Sequence, residues 1–218
     1  AITDHGVMYG CVAFFDAARA AGIKPIIGCE VYVATRTRFD KVNRIDGNNH
    51  LILLCKNEIG YKNLIKMVSA GFTEGFYSKP RIDKDLLEQH HEGLICLSAC
   101  LAGEIPQAIL AGDYERAKQA ALYYRDLFGE GNYYIELQDH GLEEDQVSGL
   151  TVGKAVGLIA HIVVHALVHD THGGVARPHE GEQVLDMVGR FDIDRVGSLA
   201  QGAMGVEVML GQHSLQLL

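Results

Sequence analysis

The chain has 218 residues, 48% of them apolar, which is enough for one large domain or two small ones. Its 19 basic and 28 acidic residues give a formal net charge of -9. Because cationic side chains supply most non-specific affinity for nucleic acid, such a chain needs a local basic surface to bind DNA by itself. We find no signal-peptide pattern and no apolar run of about 18 residues, so we expect a cytoplasmic protein that does not enter a membrane.

Helix and strand patterns alternate along the first 145 residues. Helices are predicted at 11–21, 61–72, 81–90, 105–112 and 113–129. Strands are predicted at 24–34, 51–57, 93–99 and 132–141, with a charged loop at 36–49. We expect Asp83 and Asp113 to be N-caps and Gly22 and Gly129 to end helices. Strands alternating with helices indicate βαβ units around a parallel sheet or barrel.

The pattern weakens after about residue 146. A helix at 147–158 and a strand at 161–168 remain compatible with the sequence, but no clear period is left beyond residue 174. His161, His165 and His169 are spaced by four, so a metal-binding stripe on a helix is an alternative to the strand. We therefore place one domain over residues 1–175 and a diverged extension over residues 176–218.

Two groups of residues bear on partners and on the cellular compartment. Lys79, Arg81 and Lys84 form a small basic patch flanked by aromatic residues, for which a solvated loop is the simpler interpretation.

The cysteines are odd in number and lack disulfide-framework spacing, which predicts reduced thiols. They are Cys11, Cys29, Cys55, Cys96 and Cys100.

Metal-type side chains lie beside several of the strand-like runs. Ligands placed at many strand ends are typical of a metal site in an α/β barrel, and their dispersal excludes a zinc finger. The set comprises His5, Glu30, His50, Cys100, Asp170 and His172. Imidazoles, carboxylates and a thiolate together suit zinc, or manganese or iron where carboxylates dominate.

The strength of this prediction differs between residues. Glu30 is the most informative, because a carboxylate inside IIGCEVYV is expensive to bury without a cation or strong donors. Asp170 and His172 have the D-x-H spacing that puts two side chains on one face of a strand. Asp4 could orient the imidazole of His5, and His140 could lie in a second shell. Taken singly, a histidine near a strand end or a buried cysteine has simpler structural explanations.

Long segments of the sequence resemble a known family. They include TDHGVMYG, AAGIKPIIGCEVYVA, HLILLCKNEIGYKNLIKMVS, KPRIDKDLLE, SACLAGEIP and NYYIELQDHGL. With these segments the chain resembles the PHP (polymerase and histidinol phosphatase) domain, in the form found at the N-terminus of bacterial DNA polymerase III alpha subunits. The similarity runs from residue 1 to about 146.

The resemblance implies a distorted (β/α)7-like barrel with up to two or three divalent ions, zinc or manganese, at one end. The family's ligand positions fall on His5, Glu30, His50, Cys100, Asp170 and His172. It further implies that Glu30 bridges the ions and that Glu30 and Asp170 belong to the catalytic set. In some members this site is a 3′–5′ exonuclease, and in others it has lost ligands and supports structure.

The chain also departs from the family's pattern. The opening strand with its H-x-H motif is missing, and VHDTHG stands where the family has T-N-D-x-H-Y. We therefore expect an incomplete barrel without its first strand, with weak or no hydrolysis by this chain alone. The leading hypothesis is a fragment of the replicative polymerase that reaches DNA and other replisome subunits through its parent protein. A non-catalytic interaction module and a stand-alone phosphatase for a small phosphomonoester are the alternatives.

Overall fold

The computed structural model describes residues 1–138, 161–165, 208–210 and 213–215, which form a mixed α/β fold. The helices are α1 (Cys11–Ala20), α2 (Glu58–Thr73), α3 (Lys84–His90), α4 (Glu104–Leu110) and α5 (Tyr114–Phe128). The strands are β1 (Gly28–Ala34), β2 (Asn48–Cys55), β3 (Arg81–Ile82), β4 (Leu94–Leu97), β5 (Tyr133–Gln138), β6 (His161–His165), β7 (Val208–Leu210) and β8 (His213–Leu215). The helices and strands predicted within residues 1–138 are present with shifted ends, but the helix predicted at 81–90 is wrong for Arg81 and Ile82, which form β3.

Local capping contacts explain where several helices begin and end. The Asp83 side chain accepts a hydrogen bond from Leu86 N–H (3.1 Å), and Asp113 accepts one from Arg116 N–H (3.1 Å). Both contacts satisfy amide groups that the first helical turn leaves without partners. Gly22 follows α1 with a φ of +71°, as a helix-ending glycine does. These caps confirm the prediction from sequence.

The sheet is mixed, which corrects the prediction of a parallel sheet. Six strands lie in the order β3-β1-β2-β4-β5-β6. β1 pairs with β2, and β2 with β4, in antiparallel orientation, while β1–β3, β4–β5 and β5–β6 are parallel. The connection between β1 and β2 contains no helix, and the chain therefore turns back on itself without the crossover that parallel neighbours require. Closure into a barrel stays a prediction.

The hydrophobic core lies on one face of this sheet. Alternate residues of β1 (Val31, Val33) and β2 (Leu51, Leu53) point to this face and are almost fully buried. They pack with apolar side chains from the helices, including Leu64 and Met67 of α2. The opposite face of β1 and β2 is therefore free to carry other chemistry.

Two further sequence predictions concern the described residues. All five cysteines are free, in agreement with the prediction of reduced thiols. In the described ranges, no helix combines the length and the apolar character needed to cross a lipid bilayer. The predicted helix at 147–158 and the proposed boundary at residues 175 and 176 lie outside the described residues.

Candidate metal centre

The sheet face opposite the core carries the first two candidate ligands. On β1, Glu30 and Tyr32 alternate with the core residues, and on β2 His50 lies directly opposite Tyr32. Because side chains of a strand alternate between its faces, Glu30, Tyr32 and His50 project to the same side of the sheet. The ring of Tyr32 meets the His50 imidazole edge to face, with centroids 5.1 Å apart. This contact fixes the orientation of the imidazole.

The N-terminal segment brings His5 to the same face. Glu30 N–H donates to the Asp4 carbonyl (3.0 Å) and Gly6 N–H donates to the Glu30 carbonyl (2.8 Å), so this segment runs parallel to β1. Gly6 has a φ of +70°, and a Cβ there would lie 2.7 Å from the Tyr32 ring. The glycine of the TDHG motif is therefore required both by its backbone conformation and by its packing.

A tight loop after β4 supplies Cys100. Ala99, just before it, has a φ of +62°, a left-handed conformation that non-glycine residues rarely adopt. His50 N–H donates to the Ala102 carbonyl (3.0 Å), and Gly103 N–H donates to the Cys100 carbonyl (2.8 Å). The loop is thereby held against β2 at the position of His50. Unfavourable backbone conformations of this kind are found preferentially at functional sites.

Two imidazoles converge on one buried oxygen atom of Glu30, and the Cys100 thiol lies beside them. Glu30 Oε1 lies 2.5 Å from His50 Nδ1 and 3.1 Å from His5 Nδ1. Cys100 Sγ lies 3.5 Å from His50 Nδ1, and Glu30, His50 and Cys100 each offer a ligand atom within 4.8 Å of the others. Among the described residues, Glu30 Oε1 finds no partner with hydrogen-bond geometry.

This arrangement fits a divalent cation. A buried carboxylate oxygen without a hydrogen bond is costly, and a cation placed among the same donors would remove that cost. Nitrogen, oxygen and sulfur donors together are a set that zinc accepts. Burial raises the pKa of the Cys100 thiol, and the negative charges of Glu30 and Glu136 raise it further. The side chain of His5 is 70% exposed, so the site is open to solvent on that side.

The structure describes four of the six predicted ligands. It brings together His5, Glu30, His50 and Cys100, whereas Asp170, His172 and His140 lie outside the described residues. Residues 161–165 form strand β6, so the helical stripe of histidines is wrong for that segment. The Asp4 carboxylate accepts a hydrogen bond from Gly10 N–H (3.1 Å) at the start of α1, and its described role is there rather than at the imidazole of His5.

Sequence reasoning missed two residues near the site. Tyr32 packs on His50, and Glu136 is a buried carboxylate on β5 whose charge acts on Cys100. Glu136 N–H donates to Ser98 Oγ (2.9 Å), which links β5 to the loop that carries Cys100. A carboxylate within the apolar run YYIELQ is the signal that could have indicated Glu136, by the same reasoning that singled out Glu30.

The fold and the site together define an α/β domain with a candidate metal centre on one face of its sheet. The PHP domain family matches residues 1–140, and the chain belongs to this family.

The similar proteins are DNA polymerase III alpha subunits. That of Treponema pallidum is 50% identical over 172 residues, which cover 78% of this chain and 15% of the relative. That of Borreliella burgdorferi is 50% identical over 149 residues, covering 67% of this chain and 13% of the relative. That of Deinococcus radiodurans is 47% identical over 151 residues, covering 67% of this chain and 11% of the relative. The chain thus spans only a small part of the length of these relatives.

Proposed function

We propose that this chain is part of a DNA polymerase III alpha subunit and that its site hydrolyses phosphodiester bonds at a DNA 3′ end with divalent metal ions. The observation that carries the proposal is the convergence of His5 and His50 on the buried Oε1 of Glu30, with the Cys100 thiol next to His50. The names of the similar proteins support the DNA context. In such a polymerase the domain would work in the cytoplasm beside other replisome subunits.

Each side chain has a distinct role in this proposal. Glu30 and His50 would hold the metal from adjacent strands, and Cys100 would contribute a sulfur ligand from its tight loop. Glu30 has two carboxylate oxygens and can therefore bridge two ions. When bound, divalent ions polarise the phosphate and activate water for attack. Zinc or manganese, up to two or three ions, suits this donor set.

Two more ligands are proposed from the family resemblance alone. Asp170 and His172 would complete the set, with Asp170 joining Glu30 in the catalytic group. Their D-x-H spacing is compatible with two ligands on one strand face. The proposed metal centre therefore has six protein ligands, four of which already lie close together.

Elemental mass spectrometry of the purified chain, combined with a hydrolysis assay on single-stranded DNA labelled at its 5′ end, tests the proposal. We expect stoichiometric zinc or manganese, lost in Glu30→Gln, and at most weak shortening of the DNA from its 3′ end. Glu58→Gln is the matched control, because Glu58 is exposed on α2 and pairs with Lys62 far from the ligands in sequence. Activity that survives Glu30→Gln would contradict the assignment of the site.

The same assay separates the proposal from its two alternatives. Bound metal without hydrolysis of DNA in zinc or manganese would favour a non-catalytic module of the polymerase. Turnover of a small phosphomonoester such as p-nitrophenyl phosphate, without action on DNA, would favour a stand-alone phosphatase. A chain without stoichiometric metal would contradict a metal-dependent function of either kind.

A further inference from the structure

The basic patch of the sequence separates into three different environments. Arg81 is almost fully buried, and its guanidinium donates to backbone carbonyls, including that of Asp40 (2.7 Å). Lys84 forms an ion pair with Glu104 (3.0 Å). Lys79 is exposed. Of the three predicted cationic residues, Lys79 is therefore the one whose charge is available to a ligand.

Lys79 lies next to the candidate metal centre. Its Nζ atom lies 5.1 Å from the centroid of the Tyr32 ring, and that ring contacts the His50 imidazole at a further 5.1 Å. One aromatic ring thus separates the ammonium group from a metal-ligand side chain. Within residues 1–138, the Tyr32 ring is the contact of this ammonium group, which forms no ion pair there.

The backbone holds Lys79 at this position. Ser78 adopts a left-handed φ of +58°, and Tyr77 N–H donates to the Lys79 carbonyl (3.0 Å). Residues 77–79 therefore form a tight turn. Two residues later the chain enters β3, where Arg81 pairs with Tyr32 in parallel register. The turn is therefore attached to the strand that carries Glu30, and Lys79 is positioned relative to the metal centre by sheet hydrogen bonds.

We infer that Lys79 and Tyr32 form an anion subsite that holds a phosphate group of a single-stranded nucleic acid beside the metal centre. The inference rests on the proposed function. A lysine ammonium binds phosphate as a point charge, and the Tyr32 ring restrains the cation without neutralising it. In a chain with a net charge of -9, a cation at this position supplies local attraction for a polyanion that the overall charge would repel.

Binding without turnover tests the subsite. The probe is a fluorescein-labelled ten-nucleotide oligothymidylate whose 3′-terminal linkages are phosphorothioates, followed by fluorescence anisotropy in manganese over a series of salt concentrations. We expect Lys79→Gln to weaken binding about three- to tenfold. The slope of the logarithm of the binding constant against the logarithm of the salt concentration should become shallower by about 0.7, the value for one phosphate contact on a single strand. Lys79→Arg should bind nearly as the unsubstituted chain does, because the cation is retained.

Lys118→Gln is the matched control, since Lys118 is exposed on α5, a helix that packs in the core on the other face of the sheet. Metal content should stay unchanged in all three variants. Equal binding by Lys79→Gln and Lys118→Gln, absence of binding by the unsubstituted chain, or loss of metal in Lys79→Gln would each overturn the subsite. If the chain binds the oligonucleotide through Lys79 but hydrolyses no DNA, the proposed hydrolytic function fails while the subsite stands.

Discussion

The two faces of the β1–β2 pair serve opposite purposes. Val31, Val33 and Leu53 are turned to one side and are almost completely buried among apolar side chains. Glu30 and His50 are turned to the other side, where a buried carboxylate oxygen has no hydrogen bond among the described residues. The same seven- and eight-residue strands therefore stabilise the fold with one set of residues and carry polar site chemistry with the other.

The comparison shows how stability and function are divided within one sheet. Apolar burial on the core face contributes free energy of folding whether or not a ligand is present. The site face has the opposite property, because a buried carboxylate costs free energy until a cation or donor compensates it. Substitutions on the two faces should accordingly change stability with opposite signs.

The largest expected change comes from the core face. Leu53→Ala removes a fully buried side chain from the centre of the sheet and should lower the free energy of unfolding by about 2–5 kcal/mol. Urea denaturation followed by circular dichroism measures this change. Ile65→Ala on α2, where Ile65 is 40% exposed, is the control and should stay within about 0.5 kcal/mol. Equal losses in the two variants would contradict the placement of the core.

The site face should respond with an opposite and smaller change. In EDTA at pH 8, Glu30→Gln should raise the free energy of unfolding by about 1 kcal/mol, because it removes a buried negative charge. With excess zinc the unsubstituted chain should become the more stable of the two, since only it gains binding energy from the metal. A variant less stable than the unsubstituted chain in EDTA would show that Glu30 is compensated without a metal.

The ion pair between Arg36 and Asp46 belongs to neither face of the β1–β2 pair. Its substitution should change the stability least of the three. Arg36 forms a two-bond contact with Asp46 (2.6 and 2.8 Å) and lowers the pKa of that carboxyl from 3.8 to about 2. A depressed pKa stabilises the fold above the ordinary pKa, and this contribution is lost as the pH falls through the folded value. Asp46→Asn should therefore lower the urea midpoint at pH 7, by less than Leu53→Ala does.

The difference in urea midpoint between Asp46→Asn and the unsubstituted chain should shrink as the pH falls from about 4 to about 2. Asp126→Asn serves as the control, because Asp126 is 66% exposed in its ion pair with Arg125 and exposed pairs contribute little. A difference that stays constant between pH 7 and pH 2 would show that the Asp46 charge does not stabilise the fold.

The proximity of four candidate ligands was predictable because each lies within or beside an apolar, strand-like run. Glu30 in β1 and His50 in β2 occupy such positions, and the structure brings both together with His5 and Cys100. The basic patch was not predictable in the same way. Arg81 and Lys79 are two residues apart, yet one is buried under a loop and the other is exposed, because loop residues distant in sequence cover only Arg81.

The sequence by itself determined the helices, most of the strands, the caps at Asp83 and Asp113, and the family. These features depend on periodicity and on contacts within a few residues, which the local sequence encodes. Only the tertiary structure decided that β1, β2 and β4 are antiparallel neighbours and that the two-residue β3 extends the sheet. Strand pairing joins residues far apart in the chain, and two residues are too few to show a period.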